Sequence, residues 1–251
     1  MTIRFSIAQW AAWAPGLPDQ AAWSAWLRAP AMPVLGSGPA TPALTEMPAM
    51  MRRRVERLGR IALQAAYGAQ AEAGNCPVLF ASRYGDLDRI AELLRQLARG
   101  EPTSPTAFSM SVHNAIGALF SIARADPGNY SAIAAGEETI EAAFTEASAL
   151  LADGAPAVLL VYYEEPLPAP YQGFAEPGGL PDFPRAWACR LIPTEQGGYS
   201  LCSRQAEAGG AEPAVADLPA DLAVLRFLLS GTAPTLTRRL AGKTWHWRQD
   251  A

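Results

Sequence analysis

The sequence predicts an α/β layer protein built on a mixed sheet. Apolar runs that suit strands alternate with amphipathic stretches that suit helices over the first two-thirds of the chain. The run AVLLVYY, residues 157–163, is continuous and suits a strand covered on both faces. The stretch 126–153, DPGNYSAIAAGEETIEAAFTEASALLAD, passes from an extendable segment through a corner of small residues directly into a helix. There Tyr130 to Ala134 extend, Ala135 and Gly136 make the corner, and Ile140, Ala143, Phe144, Ala147, Leu150 and Leu151 recur at helical spacing.

Taken in order, Ile3 to Trp10 alternates loosely and reads as a first strand. A tryptophan-rich tract follows, with Trp10, Trp13, Trp23 and Trp26 as packing residues and a short helix started by Pro18 or Asp19. Residues 29–49 are a loop rich in Pro, Gly, Ser and Thr. Met50 to Gly68 reads as one helix, with Val55, Leu58, Ile61, Ala62 and Ala65 on its apolar stripe. Its first half crowds Arg52, Arg53, Arg54, Arg57 and Arg60, either a solvated face or a grip for an acidic partner. Cys76 to Ser82 is a buried strand. Leu87 to Arg99 is an amphipathic helix with Ile90, Leu93, Leu94 and Leu97 on one face, ended by Gly100. Val112 to Ala123 is a helix of small and apolar residues whose polar exceptions, His113 and Asn114, read as a hydrogen-bonded pair. Pro166 to Pro184 is irregular. Trp187 to Ile192 and Tyr199 to Arg204 flank Gln196-Gly197-Gly198, a hairpin signal that would put Cys189 and Cys202 on adjacent strands. A flexible loop (206–217), a helix (218–230), a connector (232–237) and a last strand, KTWHWR, complete the chain.

The 251 residues suit one large domain or two small ones, and 50% hydrophobic with 18% charged residues argues for a packed core over disorder. A net charge of −4 supplies no basic field for nucleic acid. Three dispersed cysteines fit a reducing compartment, and two histidines leave no zinc-binding pattern. No apolar run is long enough to span a membrane, and the N-terminus lacks a signal-peptide pattern, so the expected location is the cytoplasm.

A strand running into a helix N-terminus is a common seat for a nucleophile, because backbone N–H groups and the helix dipole favour negative charge there. This corner carries Gly136 followed by Glu137 and Glu138, with no Cys, Ser or Thr at the apex. A carboxylate at that place is also a candidate base, so an acyl-thioester enzyme using Glu137, Glu138 or His113 is an alternative reading.

The tracts SPTAFSMSVHNAIGALFSIA and GNYSAIAAGEETIEAAFTEA, with the early WAAWAPG, resemble the N-terminal half of a β-ketoacyl synthase. More closely they resemble the short chain length factor type that accompanies polyene (aryl polyene or xanthomonadin-like) pigment pathways. The resemblance covers about residues 1–205 and implies one thiolase-like (ketosynthase) half-fold, a mixed sheet with helices packed on it, plus a C-terminal hairpin and helix. Residues 205–251 form a family-divergent extension of that single domain. Active synthases carry their cysteine in a sequence resembling T-A-C-[ST]-x-G, and matching Ala134-Ala135 to it puts Gly136 at the nucleophile's position. The family's two histidines lie in a C-terminal half with no counterpart here. The resemblance therefore implies a non-catalytic subunit without cofactor or metal, paired with a full-length β-ketoacyl synthase and helping to form its acyl tunnel. Its expected interface is Val112, His113, Asn114, Asn129, Tyr130, Ser131, Ala132, Ile133 and Ala134. An acyl carrier protein is a second partner, docking on Arg52, Arg53, Arg54 and Arg57, and a docking module of that kind is a further alternative. The missing half would leave the helix after Glu137 uncovered, so one of its faces should meet solvent or a partner.

Overall fold

The computed structural model describes residues 2–36, 38–70, 76–175, 182–205, 217–240 and 242–250. Strand β1 (Thr2–Trp13) runs past the expected Trp10, and a bulge between Ile7 and Gln9 accounts for its loose alternation. Helix α1 (Gln20–Arg28) starts where Asp19 accepts the N–H of Ala22 at 2.8 Å. Trp23 and Trp26 are buried, and each donates its indole N–H to a carbonyl, of Leu17 and Ala31 respectively. The following loop has no regular structure, yet Leu44 and Met47 pin it to the core and Gln64 accepts the N–H of Leu44 at 3.2 Å.

The single helix expected over 50–68 is two, α2 (Ala49–Arg52) and α3 (Arg57–Ala69). The break turns Val55 inward over Gly59, and Arg60 donates to the carbonyls of Arg52 and Val55 at the break. Strand β2 (Val78–Ala81) leads to α4 (Leu87–Ala98), capped by Asp86, and to α5 (Pro105–Ser109), capped by Ser104. Helix α6 (Ala115–Arg124) begins three residues later than expected, leaving Val112, His113 and Asn114 in the turn before it. Then come β3 (Tyr130–Ile133), a 3₁₀ turn at Gly136–Glu138, α7 (Thr139–Ala152) and β4 (Val158–Glu164). Strands β5 (Arg185–Ile192) and β6 (Tyr199–Gln205), helix α8 (Ala220–Ser230) and strands β7 (Thr235–Leu240) and β8 (Lys243–Gln249) follow. Most of the loop expected over 206–217 lies outside the described residues.

The eight strands form one mixed sheet in the order β3-β2-β4-β5-β1-β6-β8-β7. Strands β3, β2 and β4 are parallel and the remaining pairs antiparallel. Helices α1, α7 and α8 cover one face, and α3 and α6 the other. Strand β4 records both layers, since Val158, Leu160 and Tyr162 face the first core while Leu159, Val161 and Tyr163 face the second. On the first face Phe144 of α7 lies against Phe5, Trp187 and Trp247, with ring centroids 4.9, 6.5 and 5.0 Å away. Full burial of one such ring contributes about 1.5–3 kcal/mol.

Three expectations are corrected. The hairpin across Gln196-Gly197-Gly198 does not form, because β1 lies between β5 and β6, pairing Trp10 with Cys189 and Thr2 with Cys202. The two cysteines are therefore not cross-strand neighbours. Two inter-strand steps are about 9.6 Å, too far for a two-residue turn but within reach of residues 193–198. The connector at 232–237 is instead the start of β7, so the C-terminal hairpin is β7–β8. Finally, α7 is not left wholly uncovered: β7, β8 and α8 of the same chain pack along it, while the face carrying Ala142, Thr145, Glu146 and Ala149 meets solvent as expected.

Candidate functional site

The parallel strands β3, β2 and β4 end on the same side of the sheet, where loops gather. Strand β3 is the last strand at that end, so one of its edges has no neighbour among the described residues. The N–H groups of Val78 on β2 and of Ser82 just after it bond to the carbonyls of Asn129 and Ile133 at 3.0 and 3.2 Å. In a parallel ladder such contacts alternate along the strand, so the odd-numbered residues of β3 face β2. The N–H and C=O groups of Tyr130, Ala132 and Ala134 consequently point off the free edge.

The chain then turns through Gly136, whose φ of +57° lies in the left-handed region that suits glycine. A Cβ built there would meet nothing within 4 Å, so the apex opens outward. Thr139 knots the corner from inside: its Oγ1 accepts the N–H of Ala135 at 3.0 Å and donates to the carbonyl of Gly136 at 2.7 Å. Three acids enter the helix, and each meets a cation. Glu137, 58% exposed, lies 3.8 Å from Arg83. Glu138 accepts from Lys243 at 3.0 Å and from the Trp245 indole at 3.4 Å. Glu141 has no solvent exposure and is paired with Arg238 of β7; burial raises its carboxyl and the arginine opposes that rise.

Beside the corner, the turn after β2 is held by the Gly85 N–H bonding to Ser82 Oγ at 2.8 Å. The Arg83 N–H donates to the carboxylate of Glu164 at the end of β4. Burial pushes the Glu164 carboxyl up to about 8, against the Arg83 hydrogen bond that favours its charge. His113 packs its ring on Gly85, where a Cβ would come 2.7 Å from Nδ1. Its buried Nε2 has no hydrogen-bond partner among the described residues, and no bond joins it to the exposed Asn114. The expected His–Asn hydrogen-bonded pair is thus absent.

The arginine cluster does not act as a unit. Arg52 donates to the carbonyls of Ala43 and Leu44, and Arg57 binds Glu165 at 2.6 Å with Asp88 at 3.6 Å. Arg53 and Arg54 are exposed.

Around the free edge, Asn114, Asn129, Ser131 and Ala134 are exposed, and Tyr130, Ala132 and Ile133 half-buried. Val112 is 48% exposed. Phe108 of α5 and Ile122 of α6 are also exposed, at 65% and 66%, and were not singled out from the sequence. Ile122 is the apolar residue of α6 that the packed stripe Ile116, Leu119 and Phe120 leaves out. Helix α4 also turns its apolar stripe outward: Ala91 is its one buried residue, while Leu94 and Leu97 are exposed. Reasoning from sequence also missed the buried Arg185, which bonds Asp221 through Nε at 2.9 Å and Nη2 at 2.7 Å. A polar hollow of about 520 Å³ lined by Arg4, Glu195, Arg248 and Asp250 and a smaller one of about 60 Å³ beside Trp13 both lie away from the corner.

Among solved structures the chain is similar to one from Xenorhabdus doucetiae described as a ketosynthase, ApeO, in complex with its chain length factor, ApeC. Identity there is 27% and the TM-score 0.81, over 98% of this chain and 99% of that one. The ishigamide ketosynthase/chain length factor matches at TM-score 0.62 and 18% identity, over 80% of this chain and 67% of that one. A β-ketoacyl synthase from Burkholderia phymatum STM815 matches at 0.59 and 17%, over 77% and 60%. No curated protein matches the sequence. The sheet with helices on both faces is the thiolase-like ketosynthase fold. No helix among the described residues is long and apolar enough to cross a membrane. The family model for the β-ketoacyl synthase N-terminal domain matches residues 23–248, extending well past residue 205, and the chain belongs to that family.

Proposed function

We propose that this chain is a non-catalytic subunit of the chain length factor type. It pairs in the cytoplasm with an active β-ketoacyl synthase and supplies one wall of the tunnel for a growing acyl or polyene chain, in a pathway of the fatty-acid and polyketide kind. One observation carries the reading: the free edge of β3, with the backbone groups of Tyr130, Ala132 and Ala134 aimed outward. An unpaired strand edge is a template for strand addition. The likeness to a chain of nearly equal length in a ketosynthase–chain length factor complex supports the same reading.

The corner supports the non-catalytic part. Attack on an acyl thioester needs a nucleophilic side-chain atom, and Gly136 has none. Glu137 is exposed and lies beside Arg83, an open surface position that does not exclude water from a reacting group. A carrier protein docking on the arginines would have Arg53 and Arg54 as its outward contacts.

Co-expression with a β-ketoacyl synthase of the same pathway tests this. The expected result is a co-purifying pair, and no acyl-thioester turnover by the chain alone. Turnover by the isolated chain that falls in Glu137→Gln would overturn it in favour of the enzyme alternative.

A further inference from the structure

We infer that the β7–β8 hairpin is a brace that holds the corner in the shape the partner meets, with Arg238 and Lys243 as positioning residues for partner binding. The inference rests on the partner reading above and assigns a task to a C-terminal segment that lies far from the free edge in sequence. Arg238 makes two contacts at once. One Nη pairs with the buried carboxylate of Glu141, and Nη2 donates to the backbone carbonyl of Glu137 at 3.3 Å. That carbonyl belongs to the corner itself, so the guanidinium restrains the turn as well as the helix. Lys243 and Trp245 then occupy both carboxylate oxygens of Glu138, at 3.0 and 3.4 Å. Arg238 and Trp245 are register partners across the β7–β8 ladder, so the two grips come from one rigid unit.

The grip is one-sided. The Arg238–Glu141 pair is almost closed to water, with 13% and 0% of the side chains exposed, and one turn further along α7 the Trp247 ring meets Phe144 at 5.0 Å and 86°. The outer side stays open, since Glu137 is exposed and a Cβ on Gly136 would touch nothing. A hairpin that merely filled core space would need no contact to a corner carbonyl. This arrangement ties the backbone from within and leaves the outside for a partner.

The test combines hydrogen exchange on the free chain with titration of the co-expressed ketosynthase. Lys243→Met serves as the mild variant, since its head group is part-exposed. Arg238→Met/Glu141→Leu removes the deeper pair without leaving a buried charge behind. Arg238→Lys is the conservative control. Exchange at residues 134–140 should rise about tenfold in the first two variants while β4 and β5 stay protected. Affinity for the ketosynthase should fall by about tenfold, and Arg238→Lys should recover part of both. A purely structural role instead raises exchange throughout the sheet. Unchanged exchange at the corner overturns the inference, as does unchanged affinity in variants whose corner has loosened. If the wild-type chain does not bind the ketosynthase, the partner reading falls by itself, and exchange at the corner still decides whether the hairpin is a brace.

Discussion

The stability of this chain should fall as pH rises from about 5.5 to 8, and Glu164 is the reason. Its carboxyl lies at the closed end of β4, buried, with the Arg83 N–H as its hydrogen-bond donor. Burial is the dominant influence and lifts the carboxyl from 4.5 to about 8, outweighing both that bond and the charge of Arg185. The folded chain therefore keeps a proton that the unfolded chain has released. Stability from that proton is complete below pH 4.5 and is lost as pH rises through 8. At 1.36 kcal/mol per unit, the change from pH 5.5 to 8 costs about 3 kcal/mol, after allowing for half-titration at the upper end. Glu141 and Glu165 are raised by burial too and push in the same direction, so the wild-type slope alone does not isolate Glu164. Glu164→Gln does, because the amide keeps an oxygen for the Arg83 N–H and has no charge to lose. Urea unfolding of both proteins at the two pH values is the assay. The wild type should lose about 3 kcal/mol more than the variant. Equal losses, or a smaller loss in the wild type, refute the reasoning.

Three further outcomes follow from the packing. Asp221→Asn removes one of the two carboxylates that neutralise buried Arg185, leaving Asp182, and should cost about 1.5–3 kcal/mol, seen as a lower urea midpoint at constant slope. Gly85→Ala places a methyl 2.7 Å from His113 Nδ1 at a φ of +65°, and should cost about 1–2 kcal/mol for the backbone alone; adding His113→Ala should return only the steric share, measured by a double-mutant cycle. In native thiol titration half-buried Cys202 should react first. Cys189, pushed up to about 12 by burial, and buried Cys76 should react only on unfolding, and mild oxidation should give no Cys189–Cys202 disulfide because β1 separates them.

Local signals in the sequence placed most of the elements. The stripe Ile90, Leu93, Leu94 and Leu97 closed by Gly100 announces α4, and the unbroken apolar run of β4 announces a sheet covered twice, while the short α5 was not expected. Pairing between distant segments has no such signal. The two glycines at 197–198 do turn the chain, with positive φ at both, but a strand from the other end of the sequence enters between the flanking segments. Strand β7 was hidden because its inward face reads Leu236, Arg238, Leu240, and an inward arginine breaks the apolar alternation. Its meaning depends on Glu141, 97 residues away. The same gap explains why the helix after Glu137 was expected to lie uncovered. The corner was legible from the run of small residues before Gly136, whereas the strand leading into it was expected as an interface only through the family resemblance, and its place at the end of the sheet shows only once the strands are paired.

The central claim is that another chain completes the sheet at β3. Ala132→Pro addresses it directly, because that N–H points off the free edge and proline there spares the ladder to β2. The measurement is the native mass of the chain mixed with its ketosynthase, by light scattering on a sizing column. The account predicts a one-to-one complex for the wild type, and separate species for an Ala132→Pro chain that still melts at the wild-type temperature. A wild-type chain that elutes alone, or a proline variant that assembles as well as the wild type, would contradict it.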